Sequence, residues 1–453
     1  MNRREFLALA ALAAAWPGAQ AREGRVLRAA PGRQHLVGAA NPESAVWAYN
    51  GSVPGPVLRY RQGDRLRIAV QNALPADTTV HFHGIRLPNA MDGVPDLTQA
   101  PIARNGGKFL YEFDLPDAGT YWYHPHLGSP EQVGRGLYGA LVVEERDPPA
   151  VDRDLVWVLS DWRLDREAKS IEDFGRAMDA SHAGRIGNTV TVNGAIQESF
   201  AVRAGERIRL RLINASNARI YGLRFEGHAP WVIALDGHPV DPHQAPENRV
   251  VLGPAQRTDI ILDCAGAQGS THRVIDEFYG RRAYRLLELR YAGEPAFARA
   301  TPPVPRLAPN PVAQPELAKA ERHRVVFGGG MMGAMPSQRE HRGVFWTVNG
   351  KPVHAEGHRH EPILECRRGR TYLLELVNDT SWHHPIHLHG HVFRVLSIDG
   401  KPNPRVEWGD TVLLDPDSRA EIAFVADNPG DWMFHCHILE HQVTGMMAVI
   451  RVT

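Results

Sequence analysis

Sulfur-containing side chains are scarce in this chain of 453 residues, which has three cysteines and nine methionines. Its 51 basic side chains are balanced by 51 acidic ones, so it has neither the basic footprint of a nucleic-acid-binding protein nor an acidic tail. After the N-terminus, no apolar run reaches the roughly 18 residues that a membrane-spanning helix needs. The sequence therefore predicts no nucleic-acid partner and no membrane span.

The three cysteines differ in their surroundings. Cys264 and Cys366 end strand-like runs, whereas Cys436 lies between two histidines. A disulfide between Cys264 and Cys366 would require their Cα atoms to lie within about 7 Å, a distance that the sequence does not fix. Two buried free thiols and one disulfide both stay open for this pair.

Histidine, proline and glycine are abundant, with 23, 34 and 42 residues. Glycine and proline mark turns, and the length suggests about three domains. We therefore expect a turn-rich β protein with imidazoles to spare for binding metal.

The N-terminal 21 residues are typical of a targeting segment. Arg3-Arg4, a short Ala/Leu run and the small-residue site Ala19-Gln20-Ala21 resemble a twin-arginine signal. An ordinary secretory signal with a chance arginine pair is the alternative. Either signal predicts a mature chain that starts near Arg22 and works in the periplasm.

One sequence unit is repeated three times. Each copy has an Asn-Gly pair, then a glycine that opens a strand-like segment, and an asparagine nine residues after that glycine. The three sets are Asn50-Gly51, Gly63 and Asn72; Asn193-Gly194, Gly205 and Asn214; and Asn349-Gly350, Gly369 and Asn378. A turn, a half-buried strand and a fixed spacing, repeated, predict three related all-β sandwich domains.

The repeats also suggest domain boundaries. We expect a first domain at residues 22–146, a middle domain at 150–293 and a third domain at 318–453. The intervening linker, 294–317, contains seven prolines and should be extended and stiff.

Four His-x-His pairs stand at matching positions of the first and third repeats. They are His81/His83, His124/His126, His387/His389 and His435/His437. The middle repeat has Leu223-Arg224-Phe225 at the position of the first pair and carries no such ligands. Residues i and i+2 of a strand share a face, so we expect the two outer domains to bring eight imidazoles together where they pack. Imidazoles alone suit copper, zinc, iron or nickel.

Cys436 should point to the strand face opposite to the two histidines that flank it, in a segment that reads as a strand running into a loop. Its predicted partners are His384, His441 and Met446. One thiolate, two imidazoles and a weak thioether suit a blue copper site. The matching positions of the first repeat are Thr78, Pro125, Pro130 and Arg135. Only the third domain can therefore build this mononuclear site, which the peptide chain joins directly to the histidine cluster.

These segments resemble the four copper signatures of the multicopper oxidase family. They are His81-Phe82-His83-Gly84, His124-Pro125-His126, His384-Pro385-Ile386-His387-Leu388-His389 and the Cys436 segment. The resemblance covers nearly the whole mature chain and implies three tandem cupredoxin-like Greek-key β-sandwich domains that hold four copper ions.

The resemblance also implies which residues hold each copper. The type 1 ligands would be His384, Cys436, His441 and Met446. The type 2 ligands would be His81 and His387. The type 3 ligands would be His83, His124, His126, His389, His435 and His437. The family spacing of ten residues after Cys436 favours Met446 as the axial ligand, with core packing of Met446 and Met447 as the alternative.

A buried site that reduces oxygen to water needs acids that deliver protons. The resemblance implies this role for Asp92, nine residues after His83, and for Glu440, within the Cys436 segment. Two alternatives stay open, because Asp92-Gly93 is a common turn and Glu440 could simply hold an imidazole in place.

The electron donor is the least determined feature. Met91-Asp92-Gly93-Val94-Pro95 resembles the laccase branch of the family, which oxidises phenols or aromatic amines. A periplasmic cuprous oxidase of copper tolerance is the alternative, and it would need thioethers near the type 1 site. The candidate thioethers are Met331, Met332 and Met335, which could instead belong to a flexible loop. We expect O2 and a small reducing substrate as partners of a monomeric chain.

Other classes fit the sequence less well. A copper nitrite reductase would have two domains and fewer clustered histidines. A metal-free scaffold would show broken ligand motifs, and a copper store would not need Cys436 between two ligands of a second site. His354, His358 and His360 lie where the third repeat is longer than the others, and a solvated loop is favoured there over a copper-acquisition loop.

Overall fold

The computed structural model describes residues 25–293, 303–331, 343–353 and 361–453. The predictions for the signal segment, for residues 294–302 of the linker, for Met332 and Met335, and for His354, His358 and His360 fall outside these ranges. The described chain consists mainly of strands with a few short helices, which confirms the all-β prediction. Within these ranges, no helix is long and apolar enough to cross a membrane.

The first domain consists of strands β1 to β8 and helix α1. The strands are β1 (Arg25–Gln34), β2 (Ser44–Tyr49), β3 (Gly55–Arg61), β4 (Arg65–Asn72), β5 (His81–His83), β6 (Gly107–Asp114), β7 (Gly119–His124) and β8 (Gly139–Glu144), and the helix is α1 (Ser129–Gly134). Two four-stranded sheets result, in the orders β2-β1-β4-β6 and β3-β8-β7-β5.

The middle domain consists of strands β9 to β19 and helix α2. The strands are β9 (Arg153–Trp162), β10 (Thr189–Val192), β11 (Ser199–Val202), β12 (Arg207–Asn214), β13 (Tyr221–Phe225), β14 (Trp231–Leu235), β15 (His238–Gln244), β16 (Arg249–Leu252), β17 (Arg257–Asp263), β18 (Thr271–Asp276) and β19 (Tyr284–Tyr291), and the helix is α2 (Ala177–Ser181). Their sheets have the orders β10-β9-β12-β17-β14-β15 and β11-β19-β18-β13-β16.

The third domain consists of strands β20 to β30 and helix α3. The strands are β20 (Glu321–Gly329), β21 (Trp346–Val348), β22 (Leu364–Cys366), β23 (Thr371–Asp379), β24 (His384–Leu388), β25 (Phe393–Ile398), β26 (Lys401–Gly409), β27 (Thr411–Leu414), β28 (Arg419–Val425), β29 (Gly430–Cys436) and β30 (Met447–Val452), and the helix is α3 (Leu439–Val443). The sheet orders are β21-β20-β23-β28-β25-β26 and β22-β30-β29-β24-β27. The described ranges also contain four single 3-10 turns, at Asn89–Met91, Pro246–Asn248, Gly280–Arg282 and Leu317–Lys319.

The three domains share one plan, and the repeated asparagines show why. In each domain a parallel strand pair is followed by an antiparallel neighbour: β1-β4-β6, β9-β12-β17 and β20-β23-β28. The asparagine of each Asn-Gly pair has a positive φ of 52–54°, which asparagine tolerates well. Its side-chain oxygen accepts an N–H from the domain's first strand, at 2.7–2.8 Å. The same turn is therefore pinned in the same way three times.

The apolar core shows how the domains assemble. One continuous cluster of buried side chains extends from the first domain into the third, including Phe82, Tyr123 and Phe434. The middle domain has its own core around Leu210 and Leu223. The prediction that the two outer domains pack face to face is thus confirmed.

The described part of the linker, residues 303–316, contains neither helix nor strand. Leu307 is buried against Ile233 and Ile261 of the middle domain. Further along, the Asn310 side chain bonds both main-chain groups of Ala118 in the first domain, at 2.8 and 2.9 Å. The linker is therefore attached to both domains that it passes.

Candidate metal centres

The eight histidines of the His-x-His pairs converge where the first and third domains meet. In the first domain β5 pairs with β7, so that His81 stands opposite His124. In the third domain β24 pairs with β29, and His387 stands opposite His435 in the same way. All eight side chains are buried, with at most 3% exposure. Matching strand pairs thus deliver matching imidazoles.

Two details differ from the sequence-based expectation. His81 and His83 both lie within one strand. In each of the other three pairs the second histidine lies beyond the end of the strand, by two residues for His126 and by one residue for His389 and His437. The segment after Cys436 is also not a loop, because Leu439–Val443 form helix α3. This helix packs against α1 and α2, and its first turn brings His441 back towards Cys436.

The imidazoles lie close enough to share ions. The ring centroids of His81 and His389 are 4.0 Å apart in a stacked arrangement, and those of His83 and His387 are 3.8 Å apart. His389 and His435 approach each other through their Nε2 atoms at 3.1 Å. Ligand atoms within 4.8 Å of one another occur in the groups His81/His83/His124, His81/His387/His389 and His126/His389/His435.

A second site lies around Cys436. The Nδ1 atoms of His384 and His441 lie 3.4 and 3.8 Å from the Cys436 sulfur and 3.2 Å from each other. All three side chains are fully buried. The three ligand atoms therefore face one common point, and the chain continues from Cys436 into His435 and His437 of the large cluster.

The position of Met446 differs from that of its neighbour Met447. Met446 lies in the core cluster that contains Cys436, and its carbonyl oxygen accepts the N–H of Cys436 at 3.0 Å. Met447 packs in a separate cluster with Val94 and Met433. Of the two methionines, Met446 is the one that belongs to the surroundings of Cys436.

Comparison with known proteins gives one consistent result. Three domain models described as multicopper oxidase match residues 33–148, 153–272 and 333–453. The multicopper oxidase MmcO of Mycobacterium tuberculosis is 32% identical, and the match covers 89% of this chain and 82% of that protein. A crystal structure of a multi-copper oxidase from Pseudomonas thermotolerans superposes with a TM-score of 0.84 at 37% identity, covering 95% of this chain and 99% of the other.

The chain belongs to the multicopper oxidase family. It is therefore a copper-dependent oxidoreductase that uses oxygen as electron acceptor, with the three-domain cupredoxin-like fold that the sequence predicted. Two further relatives carry different names. Copper resistance protein A of Escherichia coli is 26% identical over 89% of this chain and 88% of its own length, and Laccase-1 of Botryotinia fuckeliana is 29% identical over 88% and 77%.

The hydrogen bonds of this multicopper oxidase fit copper ligation. Metal-binding histidines usually give one ring nitrogen to an outer acceptor and leave the other for the ion. Here the Nδ1 atoms of His81, His124, His387 and His435 face main-chain carbonyl oxygens at 2.7–3.0 Å. Buried ring nitrogens without a partner in the described chain occur in His81, His83, His124, His126, His387 and His437. Such buried, unsatisfied nitrogens are costly unless an ion occupies them.

Burial also shifts the pKa values of the candidate ligands. It lowers the pKa of seven cluster histidines below their usual range, with repulsion between neighbouring rings adding to the effect for most of them: His83, His124, His126, His387, His389, His435 and His437. Burial lowers the pKa of His441 to about 3 and raises the pKa of the Cys436 thiol. The imidazoles are thus neutral and able to bind metal, whereas the thiol must release its proton when it does.

Asp92 reaches across the domain interface. Its carboxylate oxygen Oδ2 lies 2.9 Å from Nδ1 of His389, and its carbonyl oxygen accepts from His81 at 2.7 Å. Its main chain also forms the predicted turn, since Gly93 has a φ of +82°. The turn and the contact with the cluster are therefore both present.

Glu440 lies on the middle-domain side of the cluster, and its carboxylate is hydrogen-bonded to the middle domain. Within the described chain, its carboxylate accepts the main-chain N–H of Arg185 at 3.0 Å and the side-chain amide of Asn217 at 3.1 Å. Burial raises the pKa of Glu440, although both hydrogen bonds oppose this. Its partners thus come from the one domain that carries no His-x-His pair.

Asp410 is an important residue that the sequence reasoning missed. Its carboxylate lies 2.9 Å from Nε2 of His83 and forms a two-point ion pair with Arg257, at 2.6 and 2.9 Å. Burial opposes ionisation, but Arg257 and the imidazoles outweigh it and keep the pKa of Asp410 well below its usual range. The only signal in the sequence is a charged residue two positions before the apolar residues 412–414.

The structure shows whether the other two cysteines form a disulfide. Cys264 and Cys366 are both free thiols and both buried, in the middle and third domains. Of the two possibilities left open by the sequence, the disulfide is excluded and the free thiols are found.

Proposed function

We propose that this multicopper oxidase is laccase-like and oxidises phenols or aromatic amines while it reduces O2 to two waters. The balance is simple. Four phenols release four electrons and four protons and become four phenoxyl radicals, and O2 takes up four electrons and four protons. The observation that carries the proposal is the direct chain connection of the Cys436 site to the eight-histidine cluster.

The proposed ligand sets are those that the family resemblance implies, and the convergence of the eight histidines and the group His384/Cys436/His441 support them. His384, Cys436, His441 and Met446 would hold the type 1 copper, and His81 and His387 the type 2 copper. The type 3 pair would be held by His83, His124, His126, His389, His435 and His437. Together these sets would take four copper ions, which supply one-electron redox chemistry at the mononuclear site and oxygen reduction at the cluster.

The chain's own residues account for electron and proton movement in this proposal. Cys436 is bonded through the peptide chain to both His435 and His437, which gives a short covalent path from one site to the other. Asp92 contacts His389 through Oδ2 at 2.9 Å, and its carboxylate would hold and deliver protons. Glu440 would serve as a second proton store on the middle-domain side.

Cuprous oxidase activity in copper tolerance is the second candidate. It is supported by the likeness to copper resistance protein A and by the exposed thioether of Met331, which is 44% exposed. We further propose that residues 1–21 direct the chain to the periplasm by the twin-arginine route, where either activity would operate. A fusion of this segment to a reporter that is active only after such export tests that part.

Oxygen uptake by the copper-loaded enzyme separates the two candidates. The donors would be Cu(I) and 2,6-dimethoxyphenol, each with and without added Cu(II). Full phenol turnover without extra copper supports the laccase-like proposal. Fast Cu(I) oxidation, with phenol turnover only after Cu(II) is added, would reject it in favour of a copper-defence enzyme.

A further inference from the structure

The middle and third domains contain the same hairpin turn with the same hydrogen bonds. Asp236 begins the turn between β14 and β15, and Asp399 begins the turn between β25 and β26, with φ values of 46° and 49°. The Asp236 amide donates to the carbonyl oxygen of Arg257 at 2.8 Å, and its carboxylate accepts the Arg257 amide at 3.0 Å. Asp399 makes the same two bonds with Arg419, at 2.8 and 2.9 Å. The repeat therefore builds one Asp–Arg turn twice.

The surroundings of the two turns differ. Asp399 and Arg419 are exposed, with 63% of the Arg419 side chain accessible. Asp236 and Arg257 are buried, at 3% and 1% exposure, where the middle domain packs against the third. A buried charged pair is costly unless its polar atoms find partners, so the partners of Asp236 and Arg257 show what the pair does.

The carboxylate of Asp236 holds two successive amides of the third domain. Its Oδ1 accepts the amide of Arg257, and its Oδ2 accepts the amides of Asp410 and Thr411 at 3.3 and 3.2 Å. Both oxygens are thus used as acceptors, one within the middle domain and one across the boundary. Asp236 therefore fixes the main chain of Asp410 and Thr411 from outside their own domain.

Arg257 contacts all three domains. Its guanidinium forms the two-point ion pair with Asp410 in the third domain, at 2.6 and 2.9 Å. It also donates to the carbonyl oxygen of Asp236 at 3.0 Å and to that of Thr120 at 3.1 Å. Thr120 belongs to β7, the strand of the first domain that ends in His124. The guanidinium thus lies between segments that carry cluster histidines in both outer domains.

Gly84 leaves room for this ion pair. It directly follows His83 and has a φ of +87°, and a Cβ atom at this position would come within 2.5 Å of side-chain atoms of both Arg257 and Asp410. Any larger residue would have to displace the two partners. The segment that carries the first two histidines of the cluster therefore passes directly beside the ion pair.

Asp410 and Thr411 in turn contact two rings of the cluster. The Asp410 carbonyl oxygen lies 2.8 Å from Nδ1 of His387, and its carboxylate lies 2.9 Å from Nε2 of His83. The Thr411 hydroxyl group lies 3.2 and 3.3 Å from the same two nitrogens. Since these two rings are stacked, with centroids 3.8 Å apart, a shift of the two residues would reorient both rings together.

We propose that Asp236 and Arg257 are positioning residues for the histidine cluster. They hold the Asp410–Thr411 segment, and this segment orients His83 and His387. The domain without His-x-His pairs thus fixes the geometry of a centre that the two outer domains build. The inference rests on the proposed ligand sets, in which His387 holds the type 2 copper and His83 a type 3 copper.

The first test compares Asp236→Ala with Asp399→Ala in the copper-free, full-length protein. The backbone cost of an alanine at a positive φ is similar in the two turns, but only Asp236→Ala removes an acceptor that faces the third domain. Amide hydrogen exchange at Asp410 and Thr411 should become at least about tenfold faster in Asp236→Ala and stay unchanged in Asp399→Ala. Equal exchange in the two variants would overturn the proposal.

The second test uses the copper-loaded protein and adds the pair Arg257→Lys and Arg419→Lys, because lysine keeps the charge and loses the two-point contact. The type 2 electron paramagnetic resonance spectrum should shift in Asp236→Ala and Arg257→Lys, since the orientation of a proposed ligand changes. The blue absorption should not change, because the contacts of the pair lead to the histidine cluster. Asp399→Ala and Arg419→Lys should match the parent protein. An unchanged type 2 spectrum, or equal changes in both copper signals, would overturn the proposal.

Failure of the proposed ligand sets has a different signature. If the copper-loaded parent protein shows no type 2 signal, the ligand sets are wrong, and hydrogen exchange of the copper-free variants still decides whether Asp236 holds the Asp410–Thr411 segment. If Asp236→Ala does not fold, the exchange of the same two amides in Arg257→Lys, compared with Arg419→Lys, decides the question.

Discussion

The histidine cluster is built from two halves that match each other, yet their acids are used differently. His81 gives its Nδ1 to the carbonyl oxygen of Asp92, and His387 gives its Nδ1 to that of Asp410, at 2.7 and 2.8 Å. Each carboxylate then crosses to the opposite domain, Asp92 to His389 and Asp410 to His83, both at 2.9 Å.

What separates the two acids is their charge balance. Asp410 is neutralised by Arg257 of the middle domain, whereas the ion-pair and hydrogen-bond contacts of the Asp92 carboxylate among the described residues are to imidazoles, with Oδ2 2.9 Å from His389 and Oδ1 3.3 Å from His81. A carboxylate paired with a buried guanidinium is poorly suited to exchange protons, and one that contacts only imidazoles of the cluster is better suited to it. The comparison therefore assigns a positioning role to Asp410 and supports proton delivery for Asp92.

A second comparison concerns the helices α1 and α3, which occupy matching places after β7 and β29. Near α3 the buried side chains are the proposed metal ligands, whereas near α1 Thr78 donates to Gln132 at 2.6 Å and Gln132 donates to the carbonyl oxygen of Asp77 at 2.8 Å. The first domain thus satisfies its polar groups internally. The middle domain contacts both places through Asn217, whose amide donates to Pro130 and to Glu440.

The largest effect is expected from Cys436→Ser, which removes the proposed ligand that distinguishes the third domain. The blue absorption should disappear and donor oxidation should fall by about three orders of magnitude or more, because the path from donor to cluster begins at this thiolate. Cys366→Ser is the matched control, since it also changes a fully buried free thiol. Loss of the blue absorption in both variants would show a folding defect and not a ligand role.

Asp410→Asn should have the next largest effect and should act on stability. The substitution leaves Arg257 buried without its carboxylate partner, a change that costs about 3 kcal/mol or more. Denaturant unfolding measures this, with Asp415→Asn as control because its side chain is 71% exposed. A loss below about 1 kcal/mol would mean that Asp236, 3.3 Å from Arg257, replaces Asp410 as the ion-pair partner.

Asp92→Asn should leave folding and the blue absorption intact and slow the reaction with oxygen about 100-fold, in the range expected for the loss of a general acid. Reoxidation of the fully reduced enzyme by O2, followed in a stopped-flow instrument, measures this step apart from donor oxidation. Turnover equal to that of the parent enzyme would exclude the proton role and leave Asp92 as a turn residue. The expected contrast with Asp410→Asn is that one acid affects rate and the other stability.

The sequence predicted the fold and grouped the candidate ligands well because both signals are local. Asn-Gly turns, strand alternation and His-x-His pairs are read within a few residues of each other, and the threefold repetition supplied the register. Helix α3 was missed because its five residues are too few for a helical period to show. Its stability comes from packing against α1 and α2, which no local pattern records.

Residues that act across domains could not be predicted, because local patterns do not record contacts between distant parts of the chain. Arg257 and Asp410 are 153 positions apart, and Arg257 aligns in the repeat with Arg419, which is exposed. The two arginines look alike in sequence, and only the fold shows that one is buried beside the cluster. The hydrogen bond from Nε2 of His441 to the carbonyl oxygen of His182, at 2.6 Å, could not be predicted at all, because every residue has a main-chain carbonyl group.

The smallest effect is expected from Thr78→Val, which removes the hydrogen bond at the place where the third domain has the proposed ligand His384. Gln132 would lose one buried partner, at a cost of about 1–2 kcal/mol. The blue absorption and the rate of donor oxidation should not change, because Thr78 holds the structure of the first domain and touches neither metal site directly. Denaturant unfolding together with the visible spectrum checks both parts. A changed spectrum would mean that the surroundings of α1 affect the Cys436 site. The conclusion that the two matching places act independently would then be wrong.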